Sequence, residues 1–508
     1  MKMLSELNYP FQFNWYIQEH VAVIGWAFDV NNQRIENEHL ASLFIEIINE
    51  NSFVERLKNL NGNFAVVIES KNITALAVDH IRSFPLLYKQ DEKSIQIVTN
   101  YNWQSEMQID ESSVEAFKKC WCTLDNTTLA KNIFQLQAGQ YLWQSGNEPA
   151  TPKFYYQHIQ KDKVLNVDIN EASKLFTSVF DKYFDLIKDK TVLVPLSGGY
   201  DSRLMISLLH QYGHSDVIAY TYGKEESHEV QIAKKVAQQL NVKWYFIEYN
   251  ETLFNTFFTD QWQEYSDNNH FLSSLPHEQD FFALSYLKSK NLIPENFVAL
   301  PGFSGDLLGG SITGYQPNEF SKVAFKNMII QKHFQNSAID YDFSTFEAIN
   351  SKDQFYDQYQ CWFVNNKVTK FIVNSVRLYE YFGGSWLLPF WDKELIEYWY
   401  KVPYNKREQQ KFYNDVIFKK FFSSLEIGYI KPGHDDNYPN QLKEKIKQHL
   451  PSVITNVVKK VKKSIQPNDV NNLSVLSDMI EGKIEQKVRN AAGINNIHAI
   501  YFLQKLEK

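Results

Sequence analysis

TVLVPLSGGYDSRLMISLLHQYG, residues 191–213, changes its period within a few positions. The first six residues are almost all apolar, as in a strand buried on both faces. SGGYDS, residues 197–202, is a tight glycine-containing loop, and from Arg203 onward Leu204, Leu208 and Leu209 share one face of a helix. Gly213 closes that helix at the C′ position. Strand, glycine loop and helix in this order aim backbone N–H groups and the positive helix end at one point, which makes a phosphate site.

The side chains refine this expectation. Ser197 and Ser202 offer hydroxyl donors to phosphate oxygens, whereas the Asp201 carboxylate suits Mg²⁺, so a metal-bound polyphosphate is expected. No G-x-x-x-x-G-K-S/T and no G-x-G-x-x-G occurs, which argues against a Walker ATPase and a dinucleotide fold. Downstream, VIAYTYG (217–223) reads as a strand and ESHEVQIAKKVAQQL (226–240) as a helix burying Ile232, Ala233, Val236, Ala237 and Leu240. FVALPGFSGDLLGG (297–310) is a further buried strand running into a glycine-rich loop. Ligands of open parallel sheets bind beyond the carboxyl ends of the strands, so this loop is expected to face residues 197–202, with Asp306 as a second magnesium ligand.

Working outward, strands alternating with amphipathic helices imply a parallel sheet covered on both faces. Residues 21–156 read differently, as short alternating strands such as NFAVVIES, ITALAVDH, SIQIVTN and GQYLWQS, interrupted mainly by a helix around 115–120. The boundary falls near 157–168. Past Asn440 the chain turns Lys-rich and helical in pattern. The expected division is 1–160, 165–440 and a 441–508 extension, without internal repeats.

Composition narrows the function classes. The 508 residues are 44% hydrophobic and 22% charged with a net charge of −7, which fits a globular chain acting on small molecules and argues against nucleic acid as partner. The three cysteines, Cys120, Cys122 and Cys361, do not make a disulfide framework. No stretch of about 18 apolar residues and no signal-peptide pattern is present, so a cytoplasmic protein without a membrane segment is expected.

SGGYDS resembles the pyrophosphate-binding loop of the ATP pyrophosphatase (PP-loop) superfamily, which cleaves ATP between its α and β phosphates. The resemblance implies that Ser197, Gly198, Gly199, Asp201 and Ser202 hold the leaving pyrophosphate and its magnesium, within an ATP-binding set of Leu196, Tyr200, Tyr222, Gly223, Gly302, Ser304 and Gly305. The 217–240 stretch looks like the adenosine-flanking strand and next helix of asparagine synthetases, and Gly305-Asp306-Leu307 resembles their Gly-Asp-Glu or Ser-Asp-Glu loop without its second acid. LLPFWDKELIEYWYKVP (387–403) resembles their Pro-Phe-Leu-Asp segment. Ser385, Trp386 and Leu387 stand where the family carries Glu-x-Arg, which puts aspartate as substrate in doubt; Tyr379 and Glu380 are the alternative polar pair. Lys431 falls where the family has a lysine that neutralises charge developing on the phosphates.

Residues 60–88 resemble the glutaminase domain of the same enzymes, an α+β sandwich of the Ntn-hydrolase type: Leu60, Gly62, Phe64, Ala65, Ala77, Asp79, Pro85 and Leu86 match, whereas Val78 and Arg82 replace an Arg and a Gly. A glutaminase of this kind uses an amino-terminal Cys as nucleophile. Here Lys2 follows Met1 and no cysteine precedes Cys120, so the glutaminase reaction is expected to be lost. The resemblance thus implies an AMP-forming carbon–nitrogen ligase that uses ATP and Mg²⁺ to activate a small carboxylic acid. The nitrogen then comes from free ammonia, a partner protein, or an amine on the substrate itself, as in β-lactam synthetases and lasso-peptide cyclases. A silent ATP-binding scaffold is the rival reading.

Overall fold

A computed structural model describes residues 4–91, 94–159, 166–315, 317–335, 337, 339–429, 469–484 and 493–506. Lys431 and the Lys-rich part of the extension lie outside these residues.

The amino-terminal region is built on a seven-stranded antiparallel sheet. Its path runs through Tyr16–Gln18, Val21–Phe28, Asn61–Glu69, Ile73–Val78, Gln140–Ser145 and Lys153–Phe154, with Arg34–Glu36 paired to Val21–Phe28. The alternating pattern is resolved by burial on two faces. Val21, Val23 and Ala27 join Val66, Ile68 and Ala77 under the helices Asn37–Ile45 and Glu50–Lys58. Ala22, Ile24 and Trp26 join Val67 and Leu76 on the opposite face, with Leu87, Ile95 and Ile97 of a three-stranded sheet. Both helices escape the sequence reading, which admitted only the one near 115–120; that one spans Glu111–Cys120. Each of the missed helices is only nine residues long, too short for a sustained 3.6-residue period, and tertiary burial of Leu40, Phe44, Phe53 and Leu57 supplies their stability.

The second region carries the expected parallel sheet, in the order Lys243–Glu248, Val217–Gly223, Val192–Pro195, Val298–Ala299, Ser385–Trp386. Val192 pairs with Val217 on one side and with Val298 on the other. The 217–223 strand agrees to the residue. The helix expected over 226–240 spans His228–Gln239, because the Ser227 hydroxyl accepts the Val230 N–H and fixes the start there. After the Tyr200–Gln211 helix, Gly213 sits at φ +69° and its N–H donates to the His210 carbonyl, while the His214 N–H donates to the Leu209 carbonyl, the Schellman arrangement.

The two regions are joined by buried polar contacts. Arg377 donates to the Ser83 carbonyl, the Tyr9 hydroxyl and the Glu380 carboxylate. His80 Nε2–H donates to the Trp391 carbonyl at 2.7 Å. His158 donates from Nε2 to the His80 carbonyl at 2.6 Å and accepts from the Tyr400 hydroxyl at 2.8 Å. Asp392 caps the Lys393–Lys401 helix, accepts from Asn61 and pairs with Lys182 at 3.0 Å, so the Pro-Phe-x-Asp segment is a junction here. Among the described residues no helix is long and apolar enough to cross a membrane.

Candidate active site

The carboxyl ends of the parallel strands open into a cavity of about 570 Å³. Its floor is the 197–202 segment, which differs from the expected loop. The helix already begins at Tyr200 with Gly199 as N-cap, so Asp201 and Ser202 lie in the first helical turn. Their placement is stricter than a loop would allow, since no side chain caps this helix start and the turn is aimed at the cavity. Ser197 and Ser202 hydroxyls lie 3.2 Å apart, and the Gly199 N–H donates to Ser197 Oγ at 3.0 Å. Arg203, fully buried, clamps the segment from behind: it donates to the Gly198 carbonyl at 2.9 Å and to the Ile427 and Tyr429 carbonyls at 2.9 and 2.7 Å. Burial lowers its guanidinium to about 10, so it stays charged.

The 301–306 segment faces this floor at unusually close range. A Cβ on Gly302 would stand 2.4 Å from the Ser202 nitrogen, and one on Gly305 would stand 2.5 Å from the Tyr413 hydroxyl and 2.7 Å from Asp201 Cγ. Only glycine permits that approach. Ser304 holds φ +78°, a left-handed conformation that a non-glycine residue adopts only when its surroundings impose it. Residues 305–309, expected as loop, form a short helix. Asp201 ties the two segments together: Oδ2 accepts the Asp306 N–H at 2.8 Å and Oδ1 accepts the Tyr413 hydroxyl at 2.9 Å. Burial, then the adjacent Asp201, raise the Tyr413 phenol well above its ordinary range, so it stays protonated and donates to Asp201.

Of the residues singled out in the sequence, Ser197, Gly199, Tyr200, Asp201 and Ser202 line the cavity from one segment. Tyr222, Gly302, Ser304, Asp306 and Tyr379 line it from three others. Gly198 and Gly305 stand just behind, packed on Glu229 and Tyr413. Leu196 is buried in the sheet, with its carbonyl accepting the Thr221 hydroxyl at 2.6 Å. Two expectations need correction. Gly223 is covered: a Cβ there would meet the Val470 carbonyl at 2.6 Å, because the segment after residue 468 packs on the strand end. Glu380 turns away from its neighbour Tyr379 into the junction, where it pairs with Arg377 and accepts from Trp386 Nε1 at 2.6 Å and Tyr9 at 3.0 Å. Consecutive residues of a helix point in different directions, which separates the pair.

Several lining groups carried no sequence signal. Asp280 and His277 sit in SLPHEQDFF, a segment with no motif. Asp280 Oδ2 accepts from the Tyr220 hydroxyl at 2.9 Å, and Tyr379 is hydrogen-bonded to Tyr220 in turn. Phe363, Val368 and Ile372 form an apolar wall. The last two belong to a π-helical stretch, Val364–Ile372, whose Lys370 donates to the Thr123 and Asp125 carbonyls of the amino-terminal region at 2.8 and 2.7 Å. Widened helical turns of this type frequently accompany functional sites. Cys120 and Cys122 are buried under the same stretch and do not line the cavity.

Fold and floor together define a PP-loop α/β domain preceded by a mainly β region. Residues 184–416 match the family model described as Asparagine synthase, and the chain is asparagine synthetase-like through that segment. No curated protein matches the chain. Solved structures similar in part include an NH3-dependent NAD synthetase from Campylobacter jejuni subsp. jejuni, 18% identical, covering 28% of this chain and 61% of that one at a TM-score of 0.20. An NMN synthetase from Francisella tularensis is 13% identical over 48% of this chain and 97% of that one, with a TM-score of 0.21. The U34-tRNA thiolase NcsA from Methanococcus maripaludis is 12% identical over 56% and 80%, with a TM-score of 0.20. The chain therefore spans less than two thirds of the NAD synthetase's length.

Proposed function

We propose that the chain is an ATP-dependent, amide-forming ligase. A substrate carboxylate oxygen attacks the α phosphorus of ATP, the bond to the bridging oxygen breaks, and pyrophosphate leaves. An amine nitrogen then attacks the acyl carbon of the acyl-adenylate, AMP departs, and the nitrogen loses a proton. The observation that carries this reading is the convergence of the Ser197–Ser202 hydroxyl pair and the Tyr200 helix start with Asp201 and Asp306 at one end of a single cavity.

In this reading the hydroxyls and first-turn N–H groups receive the pyrophosphate oxygens as negative charge shifts onto them. The segment is preorganised by the Arg203 clamp, so little reorganisation accompanies the reaction. Asp201 and Asp306 would hold magnesium, which supplies charge neutralisation on the polyphosphate. Two carboxylates fit that role, because Mg²⁺ in such sites takes most of its ligands from phosphate and water. The Asp201 carboxylate also accepts from the Asp306 N–H and the Tyr413 hydroxyl, which fix its orientation toward the cavity. Lys431 is proposed to meet the phosphates from the segment that follows Tyr429.

The amino-terminal region is proposed to have kept its sheet and lost glutamine hydrolysis. In support, Cys120 and Cys122 are its only cysteines and both are buried at the junction, and His80, Arg82 and Ser83 are spent on structural bonds. The division at 1–160, 165–440 and 441–508 is retained as a proposal. The test is pyrophosphate release across amino acids, sugar acids and short peptides, with ammonium, with glutamine and with neither. Acid-dependent release is expected, and glutamine is expected to give no more product than buffer. ATP binding without release for any acid would leave only a scaffold.

A further inference from the structure

Asp280 lines a part of the cavity where no described Lys or Arg meets its carboxylate. Asp280 is 8% exposed and reaches solvent only through the cavity, so a ligand that fills the cavity must itself meet this carboxylate. Its Oδ2 accepts from the Tyr220 hydroxyl at 2.9 Å, and the Tyr222 phenol is also hydrogen-bonded to the carboxylate, so its donors are neutral phenols. His277 Nε2 lies 4.0 Å from Oδ1, beyond hydrogen-bond range. His277 is itself a cavity residue whose Nδ1 is buried without a partner, and burial holds its ring below the ordinary histidine range, so it is neutral at pH 7. No Lys or Arg of the described residues lines the cavity, whereas Asp201, Asp280 and Asp306 do.

Aromatic rings complete this part. Tyr222 and Tyr379 line the cavity beside Asp280, and burial together with that carboxylate raises both phenols, so both remain neutral. A carboxylate among phenol rings is a cation site in which Coulomb attraction and cation–π contact add. The adjoining wall of Phe303, Phe363, Val368 and Ile372 is apolar, and no described cation is in place to receive a second carboxylate.

We infer that Asp280, with Tyr222 and Tyr379, receives an ammonium group of the substrate, and that the ligand is an amine-bearing molecule with an apolar body rather than a dicarboxylate. This rests on the ligase reading for its reaction, though not for its binding. The ammonium belongs either to the acid that is activated or to the acceptor, and in the second case its nitrogen must first yield a proton to free the lone pair that attacks.

Binding by the full chain is measured by ligand-observed NMR with three probes of one shape: 3-methylbutylamine, 3-methylbutan-1-ol and 4-methylpentanoate. The amine is expected to bind at least tenfold tighter than the alcohol, and the acid weakest. Asp280→Asn is expected to abolish that preference while ATP affinity stays within twofold. Equal binding of amine and alcohol to the unmodified chain, which requires no variant to fold, would overturn the inference. So would an Asp280→Asn variant that loses ATP affinity and keeps its amine preference. ATP–pyrophosphate exchange then separates the two sources. Exchange with leucine but not 4-methylpentanoate places the ammonium on the activated acid, and exchange with both places it on the acceptor. Exchange with no acid at all removes the ligase reading and leaves the binding result to decide Asp280.

Discussion

Replacing Gly302 by Ala tests the contact that shapes the cavity. The added methyl would stand 2.4 Å from the Ser202 nitrogen, 2.5 Å from Ser202 Cα and 2.6 Å from the Asp201 carbonyl carbon. All three are backbone atoms, so no side chain can swing aside. Normal carbon contacts begin near ~3.5 Å, and the two segments must therefore separate by about 1 Å. Overpacking of this kind costs roughly 1–3 kcal/mol, which for a domain of this size lowers Tm by about 2–4 °C per kcal/mol. The same shift carries Asp306 away from Asp201, whose 2.8 Å bond joins the segments. A displacement of that size at a reacting centre is worth about 10²-fold in rate. Gly314→Ala is the control, because its Cβ meets nothing within 4 Å. Thermal unfolding and pyrophosphate release are measured on both variants. If Gly302→Ala melts with Gly314→Ala and releases pyrophosphate at the unmodified rate, the close approach is not what holds the site.

Asp201→Asn should leave the melting temperature nearly unchanged, since an amide oxygen still accepts from Tyr413 or Asp306, but should slow pyrophosphate release roughly 10²-fold; full activity would remove Asp201 from the reaction. Glu380→Gln leaves Arg377 charged and buried at the junction, so urea unfolding should show a loss of about 3–5 kcal/mol. A loss below about 1 kcal/mol, the range of exposed pairs, would contradict that burial. Acid should destabilise the protein through its buried histidines: His80 is lowered to about 3 and His158 to about 4, in both cases chiefly by burial. Because these folded values lie below the ordinary 6.5, the unfolded chain takes up protons first. Stability is then fully present above pH 6.5 and lost as pH falls toward 4, by about 1.4 kcal/mol per pH unit per histidine. Asp79, raised to about 6 by burial, works in the opposite direction between about 6 and 3.8 and offsets one of them. Urea midpoints from pH 7 to 5 should fall, and His158→Asn should flatten the slope; a flat profile in the unmodified chain would refute the assignment.

Local chemistry made part of this protein legible from its residues alone. An apolar run, a glycine turn and a helical stripe are short-range patterns, so the 217–223 strand was legible to the residue and the 191–196 run to within one residue at each end, whereas the helix expected from Arg203 begins at Tyr200. The approach of the Asp306 segment to residues 197–202 followed from the same rules, since the loops of parallel sheets gather at the carboxyl edge. Glu380 could not be read that way, because its direction depends on Arg377 and on Tyr9, 371 residues away in sequence. Gly223 was misjudged because the segment that covers it arrives from Val470. Asp280, His277 and the apolar wall show no pattern at all, for they become neighbours only when the 277–280 segment and the Val364–Ile372 helix are packed around the sheet. Periodicity and turn chemistry act over a few residues and fixed the parallel scaffold and the segment 197–202 at its strand ends. The charge and shape of the rest of the cavity depend on contacts between distant segments, and only the tertiary structure decided them.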